Sequence, residues 1–207
     1  MIKTLINCLL IIATSFLPNL AAADWELVKE SHNVKLFRSA AEADQFTSRL
    51  EAEVNTPLQS LIDTIEDPDA CSKWLFRCQT AHRISETDDA HLYTYYVRDY
   101  PFPLKDRHGV LEITKSYQEN GEFVMNMRLQ QDMTPEESTL IVPDIFLAKI
   151  RLIKMAAGKT KVYLEHQLNP GGKVPDWIKK SIHEEFPFNS MLGLIESAQS
   201  KRLSKIH

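Results

Sequence analysis

The sequence lacks the short motifs by which common classes of enzyme are recognised. It contains no Gly-x-Ser-x-Gly, His-Glu-x-x-His or Cys-x-x-Cys spacing and no glycine-rich dinucleotide fingerprint. Gly158-Lys159-Thr160 matches the end of a phosphate-binding loop, but Ile153 stands where that loop requires its first glycine, so the segment predicts a hairpin turn. We therefore expect a protein that is not an enzyme, with no catalytic residues, cofactor or metal.

A strong excess of charge of one sign is also missing. The chain has 24 Lys and Arg against 28 Asp and Glu, a net charge of −4, and the charges are spread evenly. Nucleic-acid binding requires a basic surface, so this balance argues against a nucleic-acid partner. No internal repeat or polar linker divides residues 24–207, which predicts one domain with a substantial core and, by default, a monomer.

The N-terminus carries a continuous apolar run. It extends from Leu5 to Leu17, follows the single charge of Lys3, and precedes three alanines at positions 21–23. This order predicts a secretory signal peptide over residues 1–23, cleaved from a domain at 24–207. A membrane anchor is the alternative, but the run is shorter than the roughly 20 residues needed to span a bilayer.

Cysteine is scarce. The three cysteines include one in the leader, which leaves Cys71 and Cys78 in the exported part. In an oxidising compartment the two are a candidate disulfide, and two buried thiols are an equally compatible reading. On one continuous helix a seven-residue separation spans roughly 10 Å, too far for a bond. A disulfide therefore requires the helix to end between them, which the Trp74-Leu75-Phe76 segment permits.

Alternation of apolar and polar residues predicts that most of the chain is β-sheet. Strands are expected at 33–38, 46–54, 79–84, 91–97, 109–117, 122–130, 139–142, 149–155 and 161–168. Turn signals at Asp88-Asp89, Asn120-Gly121 and Gly158-Lys159 separate successive strands and predict an antiparallel meander. The clearest alternation runs from Phe123 to Leu129, so one face of the sheet is apolar.

Two helical regions are expected around this sheet. The first has Thr56 as its cap, Pro57 at its first position, and a stop at Asp67-Pro68; a short helical stretch follows over 69–74. The second begins after Asn169-Pro170-Gly171-Gly172-Lys173-Val174-Pro175-Asp176-Trp177 and extends to about Leu203, with a kink at Pro187. An apolar stripe on this last helix would cover the sheet; it comprises Ile178, Ile182, Phe186, Met191 or Leu192, Ile195 and Ala198.

Several of these segments, in their order along the chain, resemble one family. They are Trp25 with Val34-Lys35-Leu36-Phe37, residues 67–74, Tyr100-Pro101-Phe102-Pro103-Leu104-Lys105-Asp106-Arg107, the block at 169–177, and Phe186-Pro187-Phe188. Together they resemble bacterial START domains, the steroidogenic-acute-regulatory-protein-related lipid-transfer family. The chain departs from the family pattern at His108, Ile141 and Asn169.

The resemblance implies an α+β helix-grip fold, in which a curved antiparallel sheet wraps around a long C-terminal helix. It also implies an elongated apolar cavity between sheet and helix that holds one lipid or other hydrophobic small molecule. Such a protein would transfer or sense a lipid. A bacterial member with a signal peptide would do so in the periplasm.

Candidate cavity residues follow from the apolar face and from the resemblance. Met125 and Met127 suit adaptable walls because thioethers are flexible, although either could equally fill a packed core. His166 lies among apolar residues of its strand, where it could bind a headgroup or bond within the protein. Arg107 could pair with a ligand carboxylate or phosphate, or with a carboxylate of the protein. The remaining candidates are Leu111, Ile113, Leu164, Ile182 and Phe186.

The candidate gate is the segment 98–105 together with the C-terminal helix. Its prolines prevent it from joining a strand fully, and its rings suit transient contact with a membrane at a cavity mouth. The gate residues are Tyr100, Phe102 and Trp177. Two other functions remain open: a cyclase or hydrolase built on the same fold, and an adaptor that binds proteins through the outer sheet surface or a strand edge.

Overall fold

The described residues form a nine-stranded antiparallel sheet. The computed structural model describes residues 25–39, 47–137 and 139–204. The strands are β1 (Trp25–Ser31), β2 (Val34–Ser39), β3 (Thr47–Val54), β4 (Cys78–Asp88), β5 (His91–Arg98), β6 (Arg107–Tyr117), β7 (Phe123–Gln130), β8 (Ile145–Lys154) and β9 (Thr160–Asn169). Their spatial order is β1-β2-β3-β9-β8-β7-β6-β5-β4.

One crossover explains this order. The chain builds β1 to β3, crosses through two short helices, α1 (Leu58–Ile65) and α2 (Cys71–Trp74), and starts again at the far edge with β4. From there each strand pairs with the next, until β9 returns beside β3. The antiparallel meander predicted from the turn signals is therefore confirmed for β4 to β9, and the α+β helix-grip architecture is confirmed as a whole.

Some predicted elements differ from the structure. β1 was not predicted, and the expected strand at 139–142 does not form: Ile141 makes an isolated bridge to Arg107, with its amide bonded to the carbonyl of Asp106. Its neighbours Pro143 and Asp144 lead directly into β8, so the segment has no room for a ladder. The signal-peptide prediction at 1–23, and Phe46 in the second predicted strand, lie outside the described residues.

The N-terminal cap of α1 was predicted incorrectly. The helix begins at Leu58 and Pro57 occupies the cap position without a side-chain bond. The hydroxyl of Thr56 is buried with no hydrogen-bond partner, whereas its carbonyl accepts a 2.7 Å bond from Thr160 Oγ1 on β9. The tertiary contact with β9 orients Thr56 away from the helix, which still ends before Asp67-Pro68 as predicted.

The C-terminal helix lies across the sheet in three continuous parts. These are α3 (Asp176–Lys180), a π-helical turn (Ser181–Glu185) and α4 (Phe186–Ser204). A kink was predicted at Pro187; the structure has a π-helical turn that ends at Glu185, two residues before this proline. Pro187 has no N–H to donate to the carbonyl of His183, and the hydroxyl of Ser48 on β3 donates to that carbonyl at 3.2 Å. The sheet thus satisfies the group that the proline leaves unbonded.

The helix approaches α2 very closely. A Cβ atom at Gly193 would overlap the carbonyl oxygen of Trp74, so only glycine permits this distance. Most of the predicted apolar stripe is buried, and Leu194, at 3% exposure, belongs to it as well. Within the described residues no helix is long and apolar enough to cross a membrane.

The buried apolar residues form two clusters on the inner face of the sheet. The larger one packs β2, β3 and β7 to β9 against α1 and α4. The smaller one surrounds the start of the C-terminal helix and contains Tyr100, Leu168, Ile178, Ile182 and Phe186. The space between helix and sheet beside these clusters is not completely filled.

Candidate functional site

A largely apolar cavity lies between the sheet and the C-terminal helix. Its floor is formed by β4 to β9, its roof by residues 182–194, and one side by residues 65–75. Its volume is about 140 Å³. The site is therefore placed where the helix-grip fold leaves sheet and helix apart.

The period of two in each strand builds the floor. Alternate residues of β5 (Leu92, Thr94, Tyr96 and Arg98) and of β9 (Val162, Leu164, His166 and Leu168) line the cavity. Antiparallel register aligns the strands, so that Ile113, Met127, Ala148 and His166 lie opposite one another across β6 to β9. Ala148 is small, and this leaves space at the centre of that row.

Most of the predicted ligand-contacting residues lie on this cavity. The lining contains Leu111, Ile113, Met125, Met127, Leu164, His166, Ile182 and Phe186. Alternation predicted those on the strands, because it decides which side of a strand each residue faces, and the apolar stripe of the final helix predicted Ile182 and Phe186. Their contact with a ligand stays a prediction.

Arg107 is the exception, and its predicted contact with a ligand is corrected. Its side chain is 1% exposed and does not line the cavity. The guanidinium donates to the carbonyls of Pro170 and Gly171, both at 2.9 Å, and to that of Lys105, and it stacks over the ring of Tyr100. Arg107 therefore holds the Pro-Gly-Gly turn before the C-terminal helix, with every guanidinium nitrogen bonded to a backbone carbonyl and none of them on the cavity.

One residue of the predicted gate, Tyr100, lies in a different environment from the one expected. Tyr100 is only 4% exposed and packs edge-on against Phe186, so it cannot contact a membrane. Phe102 and Trp177 are 91% and 67% exposed, but neither lines the cavity. Arg98, the first residue of the segment 98–105, lines the cavity, whereas Tyr100 lies at the filled end of the inner face. A gate formed by this segment and the C-terminal helix stays a prediction, and the exposed rings of Phe102 and Trp177 stay candidates for membrane contact.

The exposed edge of the cavity lies between the α1–α2 connection and β4. Glu66, Asp67 and Pro68 line it on one side, and Arg83 on the other. Glu66 pairs with Lys115 at 3.0 Å, and Asp67 accepts a 2.9 Å bond from Lys201 near the end of α4. That bond holds the pKa of Asp67 below its usual value. These ion pairs link the connection to the sheet and to the C-terminal helix.

A disulfide joins Cys71 to Cys78 beside this edge. Of the two readings left open by the sequence, the bonded one is therefore correct. The geometric requirement is also met, since α2 ends at Trp74, between the two cysteines. Cys71 itself lines the cavity, so the bond connects the cavity wall to the start of β4.

His166 is the histidine of the lining. Its Nδ1 atom is buried without a hydrogen-bond partner. Burial, reinforced by the positive charge of Arg98 and by His183, lowers the pKa of His166 to about 3. The ring is consequently neutral at pH 7 and adds no charge to the cavity.

The sequence placed Arg98 only at the start of the candidate gate and did not predict that it lies on the cavity, at the end of β5. It is 8% exposed, donates from Nε to the carbonyl of Phe76 at 3.1 Å, and places a terminal nitrogen 3.5 Å from Ser190 Oγ. Its guanidinium carbon lies 4.6 Å from the ring centroid of Phe186. The period of two could have identified it: Arg98 follows Thr94 by four residues and Tyr96 by two, so all three side chains lie on the same face of β5.

Comparisons with known proteins place the chain in a family. The model of the START domain matches residues 16–190. An uncharacterized protein of Pseudomonas aeruginosa is 24% identical over 184 residues, which cover 88% of this chain and 91% of that protein. The phosphatidylcholine transfer protein of Rattus norvegicus is 26% identical over 171 residues, which cover 78% and 77% of the two chains.

Solved structures share the fold. A STAR-related lipid transfer protein fragment from Xanthomonas axonopodis superposes with a TM-score of 0.76 at 20% identity, covering 84% of this chain and 98% of that one. The Zhui aromatase/cyclase from a Streptomyces species superposes with a TM-score of 0.54 at 9% identity, covering 78% and 95%. At these identities the likeness shows the architecture and leaves the chemistry to be argued from the site.

Proposed function

The chain belongs to the START domain family, and on that premise we propose that it binds a lipid or other hydrophobic small molecule beneath its C-terminal helix. The observation that carries the proposal is the apolar cavity roofed by that helix. The named relatives support it, because they include a phosphatidylcholine transfer protein and a lipid transfer protein fragment. Transfer or sensing of the bound molecule is the proposed role.

The energetics favour such binding. Removing an acyl chain from water is worth about 0.8 kcal/mol per methylene, so a twelve-carbon chain gains roughly 10 kcal/mol before entropy losses. The cavity of about 140 Å³ is smaller than the roughly 300–1,000 Å³ of ordinary ligand pockets. We therefore propose that the helix or the α1–α2 connection moves during uptake, and that a long chain enlarges the cavity.

We propose a carrier in preference to an enzyme. Among the described lining residues, the acids Glu66 and Asp67 are occupied by lysines and Cys71 is oxidised. Covalent catalysis requires a nucleophile beside a general base, and the ion-paired acids and the disulfide-bonded cysteine do not supply that pair. Turnover of a bound substrate would contradict the carrier role, and a dry interior with a bound protein would favour the adaptor alternative.

We also propose that the protein acts after export, in a periplasm, as a monomer in transient contact with membranes. The apolar leader at 1–23 supports export. The disulfide supports an oxidising compartment, since such bonds rarely persist in a reducing cytosol. Fractionation of cells with N-terminal sequencing tests this: protein in the cytosol with an intact leader would refute it.

The binding itself is tested by mass spectrometry of an organic extract from the natively purified protein. Ala148→Phe, at the centre of the cavity floor, should remove the co-purified lipid by filling its space. Leu147→Phe is the matched control, because Leu147 is the preceding residue of β8, is 41% exposed, and is absent from the cavity lining. The proposal would be contradicted if Ala148→Phe kept as much bound lipid as the wild type. It would also be contradicted if the wild-type protein carried no lipid and took up none from vesicles.

A further inference from the structure

The surroundings of Arg98 indicate the chemical class of the ligand. We infer that the cavity takes an amphiphile with an anionic oxygen headgroup, a carboxylate or a phosphate ester, and that Arg98 binds this headgroup. The inference rests on the proposed function, since it specifies which hydrophobic molecule the same cavity accepts. It assigns Arg98 as a ligand-binding residue.

The first argument is the number of unused donors on Arg98. A guanidinium has five N–H groups. One of them bonds to the carbonyl of Phe76, and a second points to Ser190 Oγ at the long distance of 3.5 Å. The other N–H groups have no acceptor among the described residues. They are therefore available to a bidentate acceptor such as a carboxylate or phosphate.

The second argument is the missing counter-charge. No carboxylate of the described part of the chain forms an ion pair with Arg98. Burial lowers its pKa, Tyr100 and Tyr96 oppose this shift, and the nearby cation Arg77 adds to it. Burying an unpaired charge costs several kcal/mol, and buried cations are ordinarily paired. An anionic ligand would supply the missing partner.

The third argument is the position of the charge. Arg98 lies on the cavity lining, with Ser190 on one side and the ring of Phe186 beneath its guanidinium. The lining also contains Arg83, but that side chain is paired with Glu86 at 2.7 Å on the exposed edge. A headgroup at Arg98 would leave its chain among Leu111, Met125 and Leu164, which is the arrangement an anionic amphiphile requires.

Calorimetric titration with matched ligands tests the inference. The probes are dodecanoate and dodecyl phosphate as anions, dodecan-1-ol as the neutral analogue of the same chain length, and acetate and inorganic phosphate as headgroups without a chain. For the delipidated wild-type protein at pH 7.5, we expect both anions to bind about 10-fold or more tightly than the alcohol, because hydrogen bonds to charged groups are the strong ones.

Two variants locate the effect. Arg98→Met should bring the anion-to-alcohol ratio close to one, and Arg98→Lys should restore part of it. Arg77→Met is the control, since Arg77 is paired with Asp99 and does not line the cavity, and it should keep the wild-type ratio. The wild-type ratio alone keeps the inference testable if Arg98→Met does not fold.

The outcomes separate this inference from the proposed function. Equal binding of anions and alcohol by the wild type, or a preference that survives in a folded Arg98→Met protein, overturns the role of Arg98 and leaves lipid binding intact. Absence of binding by all three twelve-carbon probes overturns both. Binding of acetate or inorganic phosphate as tightly as the long-chain anions would show a site for free anions and would refute the inference that the ligand is an amphiphile.

Discussion

Arg98 and Arg107 face each other across β5 and β6, yet they occupy opposite kinds of environment. Arg107 lies at the filled end of the inner face, with acceptors for Nε and both terminal nitrogens. Arg98 lies at the hollow part, where it has two acceptors and no carboxylate. The rings of Tyr100 and Phe186, 5.2 Å apart, stand between them, each beneath one guanidinium.

This difference distinguishes a structural arginine from one available to a ligand. Burial is similar for both side chains, so burial does not separate them. The two side chains differ in their partners and position: three backbone carbonyls accept from all three nitrogens of Arg107, whereas Arg98 has two acceptors and lies on the cavity wall. A buried cation without an anion is costly to the fold, which is typical of positions kept for binding.

Replacing each arginine separately should give the largest difference in the free energy of unfolding. Arg107→Met leaves the buried carbonyls of Pro170 and Gly171 without their donor, each worth about 1–3 kcal/mol, so we expect a loss of about 2–6 kcal/mol in the free energy of unfolding. Arg98→Met leaves the carbonyl of Phe76 without this donor but also removes an uncompensated buried charge, so the two effects should offset each other to within about 1 kcal/mol. Urea denaturation measures both, and equal losses would abolish the distinction.

The disulfide should stabilise the hollow side by a smaller amount. It closes a short loop at the cavity edge, for which chain entropy predicts about 2–3 kcal/mol. The double variant Cys71→Ser/Cys78→Ser should lose this amount in urea denaturation, and reduction of the wild type should match it. Reducing agent added to the double variant is the control and should have no further effect.

Acidification should act on the hollow side through its histidine. The pKa of His166 is about 3 in the folded protein, and that of His183 is lowered to about 4, against a usual value near 6.5. The unfolded chain therefore binds protons first as pH falls, so stability is complete above pH 6.5 and declines from there toward pH 3–4. His166 contributes up to about 1.4 kcal/mol per pH unit in this window.

A variant that lacks only His166 isolates this contribution. His166→Leu should reduce the slope of unfolding free energy between pH 6.5 and 5, a range above the usual titration of carboxylates. Leu147→Ala, which lies outside the cavity and removes no titratable group, should keep the wild-type slope. Identical slopes for His166→Leu and wild type would refute this origin of the acid sensitivity.

The smallest effect on stability is expected from Phe102, on the surface of the filled end. Phe102→Asp should change the unfolding free energy by less than about 0.5 kcal/mol because the ring is 91% exposed. If this end contacts membranes, the variant should slow lipid uptake from vesicles. Tyr117→Asp is the control. Tyr117 is also exposed, at 64%, but it is the last residue of β6, whereas Phe102 precedes the first residue of that strand. Unchanged uptake in Phe102→Asp would place membrane contact elsewhere.

Local pattern predicted the floor of the cavity but not its charged residues. Met125, Met127 and Leu164 were identified because alternation alone decides which face of a strand a side chain occupies. Arg107 was assigned incorrectly because its acceptors, Pro170 and Gly171, are 63 and 64 residues away along the chain. Arg98 was not predicted to lie on the cavity because Ser190 and Phe186 come from a helix about ninety residues later.

The cap of α1 and the gate show the same limit. Thr56 is a good cap by type, but its backbone is bonded to Thr160 on β9, 104 residues away. The proline-rich segment has the composition of a flexible gate, but the C-terminal helix buries Tyr100 within it. In both places a contact between distant segments overrides a local preference.

The sequence by itself determined the strands, the apolar inner face, the long final helix and a cysteine pair whose spacing allows a bond once a helix ends between them. These depend on periods of two and 3.6 residues and on turn residues, which are local properties of the chain. The tertiary structure alone decided where sheet and helix stay apart, which arginine faces that space, and which edge of it is exposed. Those features depend on contacts between segments far apart in sequence, and no local pattern encodes such contacts.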